Sequence, residues 1–304
     1  MGGVRTRVAL VAVPALAACL GLAALAGAAR VPPSAATALP PSWKLSAAGP
    51  GGGSVWTGTI PNPGDPAERP SAVYLPPGFT SARRYPVLYL LHGLPGAPAS
   101  YWGGLRLAPV LDGLIAAGRS VPMIVVLPAG ADSERAEWAG RWERFVVRDV
   151  VPWVDGHLPT IPTAAGRVLG GLCAGGFGAM DIGLRNPGVF GGLESWEGYF
   201  APVFRDGPFV GKPAAYLAAN DPTLLVRRDA ARLRRAGVGF YVSVGGNHAN
   251  VLRAWSLRFA SLLSTLHLEH TLWRLPARDR GHFWRATLPS AIRFASNRFA
   301  GLPV

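Results

Sequence analysis

Cysteine and lysine are scarce in this chain of 304 residues, and both shortages limit what the protein can be. The cysteines are Cys19 and Cys173, so no internal disulfide remains if the N-terminal segment is removed. The lysines are Lys44 and Lys212, and arginine therefore supplies nearly all the basic groups behind the net charge of +13. The densest arginine run, within residues 227–235, has no aromatic residues that would stack on bases, and we expect no nucleic-acid partner.

Charged residues are also few, at 15% of the chain against 49% hydrophobic residues. This balance excludes a disordered polypeptide, and the absence of heptad and G-X-Y repeats excludes a coiled coil and a collagen-like rod. Without an internal repeat or a second change of composition, we predict a single folded domain over residues 54–304. Residues 30–53, rich in Pro, Ala, Ser and Gly, are predicted to be a linker.

The first 29 residues have the pattern of an export signal. Arg5 and Arg7 precede an uncharged apolar run from Val8 to Ala29, which contains small residues suited to signal-peptidase cleavage, Ala24, Ala26 and Ala28. The run is also long enough to cross a bilayer. We therefore predict that residues 1–29 are a signal peptide or an N-terminal membrane anchor, and that the protein is extracellular or held in the cell envelope.

Short apolar runs alternate with helical patterns along the predicted domain. The runs are almost continuously hydrophobic, which is typical of strands covered on both faces: residues 71–75, 87–91, 123–127 and 167–171. Between Trp142 and Val154 the apolar residues follow a helical stripe instead. Strand, helix and strand in this order predict an α/β fold with a mostly parallel, doubly wound sheet.

Residues 171–175, Gly-Leu-Cys-Ala-Gly, fit the G-x-S-x-G turn of a catalytic nucleophile, with Cys173 in place of serine. The turn follows a predicted strand and precedes a predicted helix over 176–185. Flanking glycines avoid collisions in so sharp a bend, and the helix N-terminus favours the thiolate over the thiol. The competing interpretation is an inert cysteine buried in a glycine-rich turn.

Acyl transfer at this turn needs two N–H donors for the developing oxyanion. The geometry of the turn supplies one from Ala174. The loop after an earlier strand, His92-Gly93-Leu94, is expected to supply the other from Leu94. We interpret His92 as a structural hydrogen-bonding residue.

Three segments resemble the esterase family that includes esterase D, feruloyl esterases and the secreted mycolyltransferases: residues 74–79, 84–93 and 171–179. The resemblance extends from about Val55 to Phe299 and implies an α/β-hydrolase fold with acyl chemistry on an ester. The main departure is Cys173, where the family usually has serine. Dienelactone hydrolases have cysteine in a similar turn, so the exchange is compatible with activity.

A cysteine nucleophile needs a histidine within hydrogen-bond reach. The segment beginning Gly281-His282-Phe283 is similar to the closing segment of the family, in which the base precedes the last helix. Counting predicted strands favours His282 as the base, with His248 as the alternative. In that count Asn247 and His248 occupy the turn where the family carries its acid.

The orienting acid therefore has three candidates. Glu197 lies at the end of the strand after the nucleophile helix, a position where some α/β-hydrolases carry the acid. Asp221 would pair with His248, although Asp221-Pro222 also has the pattern of a helix N-cap followed by proline. Asn247 would orient an imidazole as the amide does in papain-like enzymes.

These residues predict an exported esterase, thioesterase or acyltransferase that works through a thioacyl group on Cys173. The substrate would be a small-molecule, lipid or sugar ester, and we predict neither a metal nor another cofactor. The alternative function is that of an inactive hydrolase-like scaffold that binds in the cell envelope. The loss of both the serine and the usual acid favours this alternative.

Overall fold

Nine strands of the described residues form one sheet in the order β1-β2-β3-β5-β4-β6-β7-β8-β9. The computed structural model describes residues 38–65, 67, 69–130, 137–202, 207–245, 251–276 and 280–302. The strands are β1 Lys44–Ala48, β2 Ser54–Thr59, β3 Pro70–Leu75, β4 Val87–Leu91, β5 Ile124–Leu127, β6 Arg167–Leu172, β7 Gly192–Trp196, β8 Gly239–Gly245 and β9 His270–Leu275. β4 to β9 run parallel to one another, while β1, β2 and β3 form an antiparallel extension that joins β5.

Helices cover both faces of the sheet. They are α1 Leu107–Ala116, the helical segment α2 with parts Arg141–Arg144, Phe145–Val150 and Val151–His157, α3 Ala174–Arg185, α4 Ala214–Ala219, α5 Pro222–Arg235, α6 Val251–Thr265 and α7 Arg280–Phe299. The middle part of α2 has π-helical hydrogen bonds. Apolar residues of α2, α3, α5 and α6 pack in one core layer, and those of α1 and α7 pack in the other.

Strand β4 shows why the central runs are hydrophobic throughout. Its residues are fully buried, and they alternate between the two core layers. Val87, Tyr89 and Leu91 face the layer of α2 and α3, while Leu88 and Leu90 face the layer of α1 and α7. A strand covered on both sides has no solvent face that a polar residue could occupy.

The predicted α/β architecture and its mostly parallel sheet are confirmed, with strand ends shifted by a residue or two. Because the strands from β4 onward are parallel, their carboxyl ends meet at one edge of the sheet, where ligands bind in such folds. The turn that carries Cys173, the predicted nucleophile, lies at this edge, after β6.

The predicted linker over 30–53 is wrong from Lys44 onward, because β1 pairs with β2 in the sheet. The turn between these strands is fastened to α1 by a buried carboxylate. Asp112 Oδ2 accepts hydrogen bonds from the N–H groups of Gly51 at 2.8 Å and Gly53 at 3.1 Å. Its Oδ1 accepts from the Tyr74 hydroxyl at 2.6 Å. The folded domain therefore begins before Ser54.

The predicted signal peptide or anchor at 1–29 lies outside the described residues. Within the described ranges, no helix combines the length and apolar character needed to span a bilayer.

Candidate active site

Cys173 occupies a strained turn between β6 and α3. It has φ 53° and ψ −116° and is the N-cap residue of the helix. Side-chain-bearing residues rarely adopt positive φ, and such conformations persist only where the surroundings enforce them. Here the Cys173 N–H donates to the carbonyl of Trp196 at 3.0 Å, and the Cys173 carbonyl accepts from Gly176 at 2.9 Å and Phe177 at 3.1 Å.

Two glycines let the strand and helix approach each other at this turn. A Cβ at Gly175 would lie 1.9 Å from the carbonyl oxygen of Leu91, and one at Gly171 would lie 2.4 Å from the carbonyl carbon of Gly175. No side chain fits at either position. The glycines therefore avoid collisions in the bend, as the sequence pattern predicts. Cys173 itself is partly exposed.

The loop after β4 touches the nucleophile turn. A Cβ at Gly93 would lie 2.6 Å from Leu172 Cδ1 and 3.4 Å from Cys173 Cβ. Leu94, the next residue, is half-buried and packs against the apolar cluster to which Ala174 belongs. The segments carrying the two predicted oxyanion donors, Leu94 and Ala174, are therefore neighbours.

His92 has a structural environment. It is 2% exposed, and its Nδ1 lies 2.9 Å from the carbonyl oxygen of Gly93. Its ring meets Trp138 edge to face at 4.9 Å, and its carbonyl accepts from Trp138 Nε1 at 2.9 Å. Burial lowers the pKa of His92, despite hydrogen bonds to backbone groups that raise it. The imidazole is thus held neutral beneath the loop.

Tyr101 joins the ends of β4 and β6, a role that the sequence did not suggest. Its buried hydroxyl donates to the carbonyl of Leu91 at 2.9 Å and accepts from the N–H of Leu172 at 3.1 Å. Its ring packs edge to face on Trp196 at 5.6 Å. One side chain therefore links the two strands that precede the Gly93–Leu94 loop and Cys173.

Glu197 lies directly after β7 with its side chain buried, at 1% exposure. Its φ of 53° is positive, as at Cys173. Its N–H donates to the carbonyl of Ser243 at 3.0 Å, and a Cβ on Gly245 would lie 3.2 Å from Glu197 Oε1. The carboxylate is therefore held at the carboxyl end of β8, at the same sheet edge as Cys173.

His282 lies in the first turn of α7, so the prediction that it precedes the last helix is wrong by one turn. Its side chain is exposed, whereas the next residue, Phe283, is fully buried. Phe283 Cδ2 would lie 3.6 Å from a Cβ on Gly245. The start of α7 and the carboxylate of Glu197 thus meet at the same glycine.

The other two acid candidates are Asp221 and Asn247. Asp221 caps α5: its Oδ1 accepts from the N–H groups of Thr223 at 2.8 Å and Leu224 at 3.1 Å. The N-cap pattern is thereby confirmed. Burial raises the pKa of Asp221. Asn247 and the alternative base His248 lie outside the described residues.

An apolar cluster adjoins the turn on the side of α3. Its buried members are Ala139, Ala174, Phe177, Tyr199, Phe209 and Leu252. Phe177 stacks on Tyr199 at 4.9 Å and meets Phe209 edge to face at 5.8 Å. Leu94 and Trp255 pack against the same group. The cluster therefore extends to Ala174, the residue next to Cys173.

Glu194 is a second buried glutamate. It lies within β7 with no exposed surface, and its Oε2 accepts from Trp196 Nε1 at 2.9 Å. A Cβ at Gly170 would lie 2.9 Å from the same oxygen, so the glycine leaves room for the carboxyl group. Burial raises the pKa of Glu194 from 4.5 to about 8, and the group is protonated at neutral pH.

The described residues contain no group of three or more His, Cys, Asp or Glu side chains arranged to hold a metal ion.

Sequence comparison relates the chain to esterases. A family model described as "Putative esterase" matches residues 66–290. Esterase MT1326 and Esterase Rv1288, from two strains of Mycobacterium tuberculosis, are each 31% identical over 137 residues, which is 41% of this chain and 28% of theirs. An endo-1,4-beta-xylanase/feruloyl esterase of Xylanibacter ruminicola is 31% identical over 147 residues, 44% of this chain and 20% of its own. The chain thus spans less than a third of these relatives.

Solved structures show the same fold. A ferulic acid esterase has a TM-score of 0.71 at 21% identity, covering 82% of this chain and 99% of its own. An S-formylglutathione hydrolase from Agrobacterium tumefaciens has a TM-score of 0.67 at 18% identity, covering 84% of this chain and 99% of its own. The predicted α/β-hydrolase fold is confirmed.

Proposed function

We propose that this chain, which belongs to the Putative esterase family, cleaves carboxylic esters or thioesters through a thioacyl group on Cys173. The observation that carries the proposal is the strained backbone of Cys173, held at the start of α3 beside the loop of Gly93. An inert buried cysteine would gain nothing from such strain, whereas a nucleophile must stand clear of its own backbone.

The reaction uses four groups of this chain. Cys173 Sγ attacks the carbonyl carbon while its proton passes to the imidazole of His282, and the N–H groups of Leu94 and Ala174 stabilise the oxyanion. The bond to the leaving alcohol or thiol then breaks, and His282 returns the proton to that leaving group. Water next attacks the thioester and gives a proton to His282. That proton returns to sulfur when the acid departs.

Glu197 is our proposed orienting acid, in preference to Asp221 and Asn247. The supporting observations are its burial at the carboxyl end of β8, beside the segment that begins α7, and its positive φ. Asp221 already serves the N-terminus of α5. A buried carboxylate next to an imidazole would fix the tautomer and stabilise the imidazolium.

The apolar cluster supports an ester with an apolar acyl group, and the alcohol side is a small molecule, lipid or sugar. Attack by an alcohol in place of water on the same thioester would make the enzyme an acyltransferase. We further propose that residues 1–29 direct export or anchor the protein in the envelope. N-terminal sequencing of the protein recovered from the producing cells tests this, and an intact Met1 in a cytoplasmic fraction would contradict it.

The test uses p-nitrophenyl esters and iodoacetamide on the purified protein. We expect turnover that iodoacetamide abolishes, with Cys173 alkylated faster than free cysteine near neutral pH. Cys173→Ala should abolish turnover without loss of folded structure. His282→Ala should fall to near the same level, and His248→Ala serves as the matched histidine variant. Full activity in His282→Ala with loss in His248→Ala would reassign the base.

A second function, binding without catalysis, is favoured by one specific observation. The chain has cysteine for the usual serine, and Asn247 and His248 where the resemblance predicts the acid. This alternative predicts no turnover of any ester and a thiol no faster toward iodoacetamide than free cysteine. The same experiment therefore separates the two functions.

A further inference from the structure

A cavity of about 450 Å³ lies between α5 and α6, outside the apolar cluster of the active site. Its floor includes Trp255, Phe259 and Leu262 of α6, together with Phe200. Phe200 stacks on Phe259 with ring centroids 4.0 Å apart and planes 10° from parallel. Two stacked, buried rings form a firm apolar surface, and the volume falls within the range of small-molecule sites.

The rim of this cavity carries two arginines from different helices. Arg227 of α5 and Arg258 of α6 are both exposed, and within the described ranges neither makes an ion pair or a hydrogen bond. The adjacent Arg228 differs, because its guanidinium pairs with Asp229 at 2.7 Å and does not line the cavity. Two guanidinium groups above an apolar floor favour a ligand with one acidic end.

Asp221 also lines the cavity and would oppose an anion if its charge were free. Its Oδ1 is bound by the first N–H groups of α5, which disperse that charge. The Thr223 hydroxyl donates to the carbonyl of Phe200 at 2.7 Å and so closes the wall between them. The net charge of the side chains at the rim therefore remains positive, in a chain whose own net charge is +13.

We propose that this cavity binds a fatty carboxylate, with its chain on Trp255, Phe259 and Leu262 and its carboxylate between Arg227 and Arg258. The site is separate from the thioester chemistry and does not require it. The two are close nevertheless, because Trp255 meets Tyr199 at 6.2 Å and Tyr199 stacks on Phe177 in the first turn of α3. An occupant of the cavity would therefore contact Trp255, which packs against the apolar cluster that contains Ala174.

Isothermal titration of the Cys173→Ala protein with decanoate tests the proposal without interference from turnover. We expect saturable binding that weakens at least tenfold in Arg227→Gln/Arg258→Gln and is unchanged in Arg228→Gln, the matched exposed arginine. Raising the salt from low to high concentration should weaken binding, because the contact is ionic. Decyltrimethylammonium, with the same chain and the opposite charge, should not compete.

The proposal is overturned if decanoate does not bind, or if it binds equally well to the double variant. The latter result would place the fatty acid in the apolar cluster beside Cys173. An equal loss in Arg228→Gln would also overturn it, since that result would report general surface charge. If the double variant does not fold, the two single variants are measured instead, and each should lose at least threefold.

Discussion

The two halves of the proposed active site are constructed in different ways. The nucleophile half, where β4 and β6 end and α3 begins, is defined by backbone sterics and backbone hydrogen bonds around Cys173. The base half, where β7 and β8 end and α7 begins, depends on side chains: a buried Glu197 and an exposed His282. A site fixed by its backbone tolerates a change of nucleophile from serine to cysteine. A site fixed by side chains must be rebuilt when one of them changes.

Among the substitutions that test this contrast, the largest effect is expected at Gly175. In Gly175→Ala the new Cβ would lie 1.9 Å from the carbonyl oxygen of Leu91, and neither backbone can move without opening the turn. We expect a loss of at least about 3 kcal/mol in the free energy of unfolding, the upper end of the usual range for overpacking. Ester hydrolysis should fall to background. Urea denaturation and the hydrolysis assay measure both.

Gly113→Ala is the matched control for that substitution. Gly113 also lies in a helix, α1, and a Cβ there would meet nothing within 4 Å. We expect it to stabilise the protein by roughly 0.5–1 kcal/mol, because alanine restricts the unfolded chain. If both variants behave alike, steric closure of the turn is not what defines the nucleophile half.

Glu194, in strand β7, should make the stability of the protein depend on pH. Its pKa is about 8 in the folded protein against an ordinary 4.5, so the folded protein keeps a proton that the unfolded chain releases. The free energy of unfolding should therefore fall as the pH rises from about 4.5 to 8, by a few kcal/mol in all. Glu194→Gln keeps an acceptor for Trp196 Nε1 and removes the titration. Denaturation curves at several pH values should diverge in favour of the variant as pH rises, and parallel curves would contradict the assignment.

The base half is tested most directly at Glu197. Glu197→Gln should lower kcat by roughly 10²-fold with little change in KM, the lower end of the range for acid–base assistance, because a thiol needs less help than a hydroxyl. A purely structural glutamate would change stability and leave kcat unchanged.

Asp181→Asn provides the comparison for this substitution. Asp181 is fully buried in α3, and burial raises its pKa to about 7, but it faces Arg185 at 3.6 Å instead of the edge of β8. Loss of this carboxylate should change stability with little effect on kcat. An equal fall in kcat in both variants would indicate a general effect of removing buried acids.

The strand–turn–helix geometry around Cys173 could be predicted from the sequence because its signals are local. A glycine-flanked Cys173 between a hydrophobic run and a helix is readable from five consecutive residues, and the steric demand at Gly175 explains the pattern. β1 was missed for the opposite reason. It is an edge strand with mostly exposed or half-exposed residues, so neither continuous hydrophobicity nor alternation marks it. Its place depends on Asp112, whose partners are distant in the chain.

The base half could be predicted only as a set of alternatives. Glu197, Asp221 and Asn247 are comparable as sequence, and what distinguishes the first two is their tertiary environment. The full burial of Glu194 could not be predicted, because it depends on Gly170 in the neighbouring strand. Roles of this kind arise from pairings across the sheet, which one sequence does not reveal.

The smallest expected effect is at Tyr101, whose hydroxyl links strands β4 and β6 in the nucleophile half. Tyr101→Phe removes the hydroxyl that connects Leu91 and Leu172 and leaves two buried backbone groups without that partner. We expect a loss of about 1–3 kcal/mol in stability and a fall in kcat of less than tenfold. Tyr85→Phe loses a comparable bond, from the N–H of Thr80 at 3.1 Å, away from the site. It should cost stability alone, so an equal fall in kcat in both variants would mean that catalysis follows overall stability and not the geometry of the turn.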